Sequence, residues 1–536
     1  MQPLSKPLPP AMARKPNGWR GRISAQPRQG WRRNGLIGRM TMTQENKMGK
    51  HENKAGGASL LHYGNFIAGQ WQDAVGGEHI TLKNPSDGSD LALIARGAKA
   101  DIDLAVVAAR SALSGDWGKL TATERGRILH RISEEVLKNI DLLTDLESKD
   151  VGKPVTQARV DVVALARYLE FYGASADKVH GDTLPYQNGF TVLSIYEPHG
   201  VTGHIIPWNY PMQILGRSLG AALAMGNAAV VKPAEEACLT ILEFARIAEK
   251  AGLPKGALNV VTGFGAEAGA ALCEHPDVNH ISFTGSVRTG EVVQAAAAKN
   301  TVPVTLELGG KSPQIVFADA DLDRALPFLV NAGIQNAGQT CSASSRILVE
   351  RSIYEEVIAR MSERYRALKV GPASADLSVG PVVSQRQKAI VDGYLDLAKE
   401  SGLAIAAQGV LAEGAPEGGA YVLPTLIRDV PADHRLAQEE IFGPVQVILP
   451  FDTEEEAIAN GTHYGLVCGI WTNDGGRQFR LAHAIHSGQV FINNYGAGGG
   501  IELPFGGVKK SGHGREKGFE ALYGFASLKT ISVYHG

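Results

Sequence analysis

The stretch Val201-Thr202-Gly203-His204-Ile205-Ile206-Pro207-Trp208-Asn209-Tyr210-Pro211 decides how this chain is read. Its first six residues predict a strand, and a helical run over 211–225 follows the turn at Trp208-Asn209. The same alternation then repeats. Strands are predicted at 228–232, 258–262, 280–284 and 304–307, with helices at 238–251, 266–274 and 287–298 between them. Such alternation is the mark of a parallel, doubly wound α/β sheet. Ligands of these sheets bind beyond the carboxyl ends of the strands. Asn209, Lys232, Gly263-Phe264-Gly265, Ser286 and Glu307 all fall at those ends.

Working outward, residues 64–98 alternate apolar and polar positions between turn signals at Asn84-Pro85 and Asp87-Gly88, and read as short strands. Residues 100–180 carry helical periodicity, with helices at about 123–137 and 160–173. The segment 180–198 alternates Phe190, Val192, Ser194 and Tyr196, a strand pair that stands apart from the helices and suits an oligomer contact. A second α/β region runs from about 310 to 495. Its strands are predicted at 314–317, 345–349, 445–451, 466–471 and 489–492, and its helices at 321–335, 353–367, 384–401 and 453–460. A short helix near 516–524 and a strand at 528–534 close the chain.

The 536 residues, 44% hydrophobic and 20% charged, suit two or three globular domains. No apolar run reaches the roughly 18 residues that would span a bilayer, so no membrane partner is expected. Four cysteines without a pairing pattern point to a reducing compartment, taken as the cytoplasm. The net charge of −2 hides nine Lys or Arg and no acid in residues 1–40. Residues 1–58 read as a disordered basic tail, or as a leader before a true start at Met40, Met42 or Met48, rather than a targeting peptide. The acidic remainder gives no reason to expect nucleic acid.

Cys341 is the cysteine with chemistry. Cys238, Cys273 and Cys468 lie in apolar runs and read as small hydrophobes. Cys341 lies in Asn336-Ala337-Gly338-Gln339-Thr340-Cys341-Ser342-Ala343, whose small neighbours leave its sulfur approachable. Asn209 is either a helix cap or an amide able to steady an oxyanion. Glu307, in an apolar strand beside two glycines, is either a solvent-facing edge residue or a buried carboxylate with the raised pKa of a general base. Lys232 and Glu235 form either a surface ion pair or a grip on the hydroxyls of an adenosine ribose. In the second case, Glu235 repels a 2′-phosphate and favours NAD over NADP. Ser286 is either an N-cap or part of an anion site at a helix start. Gly263-x-Gly265-x-x-x-Gly269 misses the usual dinucleotide fingerprint by one residue. Glu440 is either a loop acid or a second ribose contact, with Phe442 against a nicotinamide. No metal-ligand pattern stands out.

Seven motifs occur in one order: Pro207-Trp208-Asn209-Tyr210-Pro211, Val231-Lys232-Pro233-Ala234-Glu235, Phe283-Thr284-Gly285-Ser286, Leu306-Glu307-Leu308-Gly309-Gly310-Lys311, Gly338-Gln339-Thr340-Cys341, Glu440-Ile441-Phe442-Gly443-Pro444 and Pro504-Phe505-Gly506-Gly507. In order and spacing they resemble the NAD(P)⁺-dependent aldehyde dehydrogenase superfamily, over about residues 62–534. The resemblance implies two Rossmann-like α/β domains and a small β oligomerisation element, assembled as homodimers or homotetramers. It implies an NAD-binding domain from 62–179 and 199–308, a catalytic domain at 309–505, and an oligomerisation sheet from 180–198 and 526–534. It implies Cys341 as nucleophile, Glu307 as the base that activates water, and Asn209 in the oxyanion site. Ile205, Trp208, Lys232, Glu235, Gly265, Ser286, Glu440 and Phe442 would hold NAD. Family members that pass the acyl group to coenzyme A lack a base at the Glu307 position, so a hydrolytic enzyme is expected. Glu516 matches the family glutamate after Gly-Arg. Ser218 stands where many relatives carry Lys, and leaves no lysine there for a proton relay.

Arg217, Gln335 and Tyr210 are the candidate substrate residues. Succinic-semialdehyde dehydrogenases place Arg at the position of Arg217 and a second Arg at that of Gln335, so half of a carboxylate clamp is present. The other reading of Arg217 is a pair with an acid inside the protein. The loop Gly496-Ala497-Gly498-Gly499-Gly500 would lie at the tunnel mouth and leave room for a bulky aldehyde. Two other functions compete: a binding or structural protein that keeps the fold without turnover, and a cysteine hydrolase. Against the first stand Cys341, Glu307 and Asn209 together. Against the second, no motif holds a histidine to serve as base.

Overall fold

The computed structural model describes residues 60–457, 460–496 and 500–536. The basic tail expected at 1–58, the end of the 453–460 helix and the middle of the 496–500 loop lie outside the described residues.

The first sheet has eight strands among the described residues, in the order Gly512–His513, Val304–Glu307, His280–Thr284, Val201–Ile206, Ala228–Pro233, Leu258–Val260, Asn65–Ile67 and Gln70–Gln72. The five strands between residues 201 and 307 run parallel, and the edges are antiparallel. Numbered along the chain, the parallel strands lie 3-2-1-4-5. The order reverses between Val201–Ile206 and His280–Thr284, which makes the gap beyond those two strand ends the natural ligand crevice.

The helix Pro211–Met225 begins there. Pro211 sits at its first turn, where the missing N–H costs no bond, and Gly226 ends it at φ +94°. The helix is apolar on most sides and buried on all of them. A Cβ at Gly216 or Gly220 would stand 2.9 and 2.8 Å from the rings of Tyr168 and Tyr172, on the helix Val155–Ser175. These two glycines let the helices close on each other. Each fully buried Leu or Ile between them contributes about 1.5–3 kcal/mol. The result fixes the backbone that carries Arg217.

The second sheet has seven strands among the described residues, in the order Ala404–Gln408, Thr425–Arg428, Val445–Phe451, Arg346–Glu350, Pro313–Val316, Val467–Trp471 and Gln489–Ile492. All but the Ala404–Gln408 edge run parallel. The 404–408 and 425–428 strands, and the helix Gly475–Ala484, are absent from the sequence expectation. Ala404–Gln408 is alanine-rich and largely exposed, and Gly475-Gly476 reads as a turn. Each large sheet has its own apolar core. A third, three-stranded sheet pairs Ala526–Tyr534 antiparallel to Phe190–Pro198 along its whole length, with Thr183–Leu184 on the other side.

Candidate active site

Cys341 sits on the loop before the strand Arg346–Glu350. Asn336, Ala337 and Gly338 take φ of +50°, +52° and +73° in succession. Two consecutive non-glycine residues in this region are a local strain, and they turn the chain sharply just before the cysteine. At Gly338 the neighbouring main chain is so close that a Cβ would lie 2.1 Å from the Gly443 carbonyl oxygen. Gln339 then ties the loop down. Its amide nitrogen donates to the Asn336 carbonyl at 3.0 Å, and its oxygen accepts from the Val383 N–H at 2.8 Å.

The end of the first sheet's central strand reaches this loop. Asn209 does not cap the following helix, whose cap position is Tyr210. Its side-chain amide instead donates to the Gln339 carbonyl at 3.0 Å, and the Asn336 amide donates back to the Asn209 carbonyl at 2.9 Å. Tyr210 pairs its hydroxyl with Thr340 Oγ1 at 3.0 Å. The ammonium of buried Lys153 lies 3.9 Å from the centre of the Tyr210 ring. Lys153 is held in turn by Glu147 and Asp161. This buried Lys153 trio is a part of the site's support that the sequence reading missed. Its signal was two acids and a lysine within one helical region, which look like any solvated helix surface.

Two cavities meet at Cys341, and Asn209 and Cys341 line both. One, of about 290 Å³, is bounded by Trp208, Gly285, Ser286, Glu307, Gly309, Glu440 and Phe442, with Gln387 and Ile390. Trp208 and Phe442 meet edge to face at 5.3 Å, and Phe442 takes φ +57° to do so. Glu440 accepts from the Gly310 N–H at 3.0 Å. Burial pushes its carboxyl up to about 7, against the pull of that N–H and of Lys311. Glu307 is not an edge residue facing water: it is 2% exposed. Burial, then the charge of Glu516, raises its pKa well above the carboxylate range, while Arg217 opposes the rise. A Cβ on Gly506 would lie 2.8 Å from Glu307 Oε1, so the carboxyl rests against bare backbone.

Farther along the crevice, Lys232 and Glu235 join at 2.9 Å at the end of the strand Ala228–Pro233. Ile205 pairs with Lys232 and Phe283 on the neighbouring strands. Gly265 opens a helical turn with no atom within 4 Å of where its Cβ would stand. Ser286 caps the helix Val287–Ala298, accepting from the Thr289 N–H at 3.2 Å. The helix start at Ser286, bare backbone at Gly265, Gly285 and Gly309, the Lys232–Glu235 pair at a strand end and half-buried Glu440 are the parts from which a dinucleotide trough would be built.

The second cavity, of about 300 Å³, is lined by Val160, Tyr210, Gln213, Arg217, Phe328, Asn331, Gln335, Tyr495, Gly496 and Phe505 among others. Of the two readings open for Arg217, the structure forms the contact with an internal acid: its Nε meets Glu516 in a buried ion pair. Gln335 lines the same cavity without a second Arg beside it. The Cys341 thiol is pushed up to about 12 by burial, with Arg217 pulling the other way.

The sequence model of the aldehyde dehydrogenase family matches residues 71–531. The chain belongs to the aldehyde dehydrogenase family. An aldehyde dehydrogenase of Emericella nidulans is 41% identical over 473 residues, covering 87% of this chain and 94% of that one. A solved chain from Burkholderia cenocepacia assigned to the aldehyde dehydrogenases is 61% identical, with a TM-score of 0.88, covering 88% of this chain and all of its own. An aldehyde dehydrogenase from Bacillus cereus, solved in complex with NAD⁺, is 38% identical with a TM-score of 0.86, covering 89% of this chain and 97% of that one. Family membership makes this an aldehyde-oxidising fold, and leaves the roles of individual residues to be argued from the geometry above. Among the described residues, no helix of this aldehyde dehydrogenase is long and apolar enough to cross a membrane.

Proposed function

We propose that this chain oxidises an aldehyde to its carboxylic acid with NAD⁺, through a covalent intermediate on Cys341. The observation that carries the reading is the position of Cys341 at the junction of two cavities, with Glu307 on the wall of one and the Asn209 amide on both. Lys232 and Glu235 would hold the adenosine ribose, Glu440 the second ribose, and Trp208 and Phe442 the ring. Ile205, Gly265 and Ser286 would shape the trough. The nicotinamide, when bound, supplies the hydride acceptor.

Cys341 gives up its thiol proton to solvent, and the thiolate sulfur adds to the aldehyde carbon, leaving the carbonyl oxygen as the oxyanion of a thiohemiacetal. The second Asn209 side-chain N–H, the one not donated to the Gln339 carbonyl, and the Cys341 main-chain N–H would donate to the new oxyanion, and one such donor is worth about 10²–10³-fold in rate. Loss of hydride leaves a thioester on Cys341. Glu307 takes a proton from water, the hydroxide adds to the thioester carbon, the C–S bond breaks to release the acid, and the proton held by Glu307 passes to the sulfur to reform the thiol. The balance is aldehyde, NAD⁺ and water to acid, NADH and a proton. The presence of Glu307 favours water over coenzyme A as acyl acceptor, and Glu235 favours NAD over NADP.

We read 62–179 with 199–308 as the coenzyme domain and 309–505 as the catalytic domain. The 180–198 and 526–534 segments would join copies into a homodimer or homotetramer. The exposure of Leu528, Val533 and Tyr534 on that sheet supports this reading, and a monomeric mass by light scattering would refute it. The test of the activity is NADH formation from a panel of aldehydes. The wild type should produce it, and Cys341→Ala should lose about 10⁴-fold or more while still binding NAD⁺. Ester hydrolysis without NAD⁺ and without NADH would instead support a cysteine hydrolase.

A further inference from the structure

Among the described residues that line the aldehyde cavity, Arg217 carries the one fixed charge. It is only 7% exposed. Its Nε pairs with Glu516, and its Nη2 donates to Thr284 Oγ1 at 3.2 Å. The guanidinium carbon lies 5.0 Å from the centre of the Phe505 ring. Glu516 is fully buried, stands outside the cavity wall, and accepts from Ser282 Oγ at 2.7 Å through its other side. Both partners are thus fixed by contacts besides each other. Lys517, 5.6 Å from the same ring, is not part of the wall.

We infer that Glu516 cancels the charge of Arg217 within the wall, so that the cavity selects aldehydes whose remaining part is uncharged, with Glu516 as the residue that sets this specificity. The inference rests on the reading of this cavity as the aldehyde site. A carboxylate entering the cavity sheds its water and meets a guanidinium that is already paired. Drawing Arg217 away would leave the Glu516 carboxylate buried with the Ser282 hydroxyl but without its counter-charge, which costs more than the new pair returns. A cationic tail fares no better, because no acid lines the wall among the described residues. Neutral tails find partners: Asn331 and Gln335, four residues apart, offer amides, and Phe328 offers an exposed ring. Gln213 is already committed to Asp161 at 2.6 Å.

The experiment compares two substrates of one carbon skeleton, a straight-chain aldehyde ending in a carboxylate and its methyl ester. The readout is the ratio of their kcat/KM values with saturating NAD⁺. Taking the ratio within each enzyme cancels losses of folded protein or of chemistry. The wild type should favour the ester by about tenfold or more. Glu516→Gln leaves an unpaired guanidinium in the wall, and should move the ratio toward the carboxylate by about tenfold or more. The double variant Arg217→Gln with Glu516→Gln should restore the wild-type ratio. A wild type that prefers the carboxylate overturns the inference, as does an unchanged ratio in Glu516→Gln or a double variant that loses the carboxylate alone. Should the variants fail to fold, the wild-type ratio decides by itself. NADH from neither substrate in the wild type would strike the aldehyde reading, and this inference with it.

Discussion

The two cavities that meet at Cys341 are almost equal in volume and opposite in construction. The one assigned to the coenzyme is shaped by backbone: glycines at 285 and 309, a strand end at Trp208, a helix start at Ser286, and Phe442 forced to positive φ. The one assigned to the aldehyde is shaped by side chains that arrive from separate elements, among them Val160, Arg217, Phe328, Tyr495 and Phe505. A backbone trough accepts one ligand and tolerates little change. A wall of side chains keeps the same fold while its ligand varies. The difference therefore separates what binds generally from what is chosen.

Glu307 sharpens this division, because it stands on the coenzyme side yet is assigned to the second half of the reaction. Glu307→Gln should lower steady-state kcat by about 10²–10⁴-fold. A rapid burst of about one NADH per active site should survive, since acylation of Cys341 comes first. A variant without the burst would place Glu307 in the first half instead. The pH profile carries the same test. Burial raises the Glu307 pKa, so the carboxyl is protonated and idle at low pH, and deacylation climbs as pH rises through that raised value. The climb should be missing from single-turnover deacylation in the Gln variant. Cys341, pushed up to about 12, should be alkylated by iodoacetamide in the free enzyme at a rate that keeps rising to about pH 10 without a plateau.

The contrast also explains what could be read from the sequence. The parallel, doubly wound sheet was legible because β-rich runs alternate with helical ones between residues 201 and 307, whereas its 3-2-1-4-5 order is visible only in the structure. Trp208, Gly285, Gly309, Glu440 and Phe442 stood in the motifs that carry the family resemblance, and the structure lines one cavity with them. The partner of Arg217 was not. Glu516 lies 299 positions away, and only the third dimension brings a helix of the first sheet against the C-terminal loop. The Lys153–Glu147–Asp161 group behind Tyr210 escaped for a related reason: burial, not residue type, distinguishes it from a surface ion pair. A change of one methyl group tests the legible half. At Gly309 a Cβ would lie 2.2 Å from Glu440 Oε2, so Gly309→Ala must displace that carboxylate. The KM for NAD⁺ should rise about tenfold, with the substrate ratio between two aldehydes unchanged. A change in that ratio would show that the two cavities are not independent.

An effect no larger is expected at the Lys232–Glu235 pair. Glu235 is joined to Lys232 at 2.9 Å at the outer end of the trough, and its side chain remains 27% exposed. Partial exposure weakens its field through solvent screening, so it should bias the choice of coenzyme without enforcing it. The wild type should prefer NAD⁺ to NADP⁺ in kcat/KM. Glu235→Gln removes the charge that faces a 2′-phosphate and frees the Lys232 ammonium to meet one. The preference should narrow by about tenfold, chiefly through a lower KM for NADP⁺, with kcat nearly constant. A preference that survives intact in Glu235→Gln would mean that the backbone shape of the trough excludes the phosphate. The coenzyme side would then choose its ligand by main chain alone, and the division between the two cavities would be sharper than the charges imply.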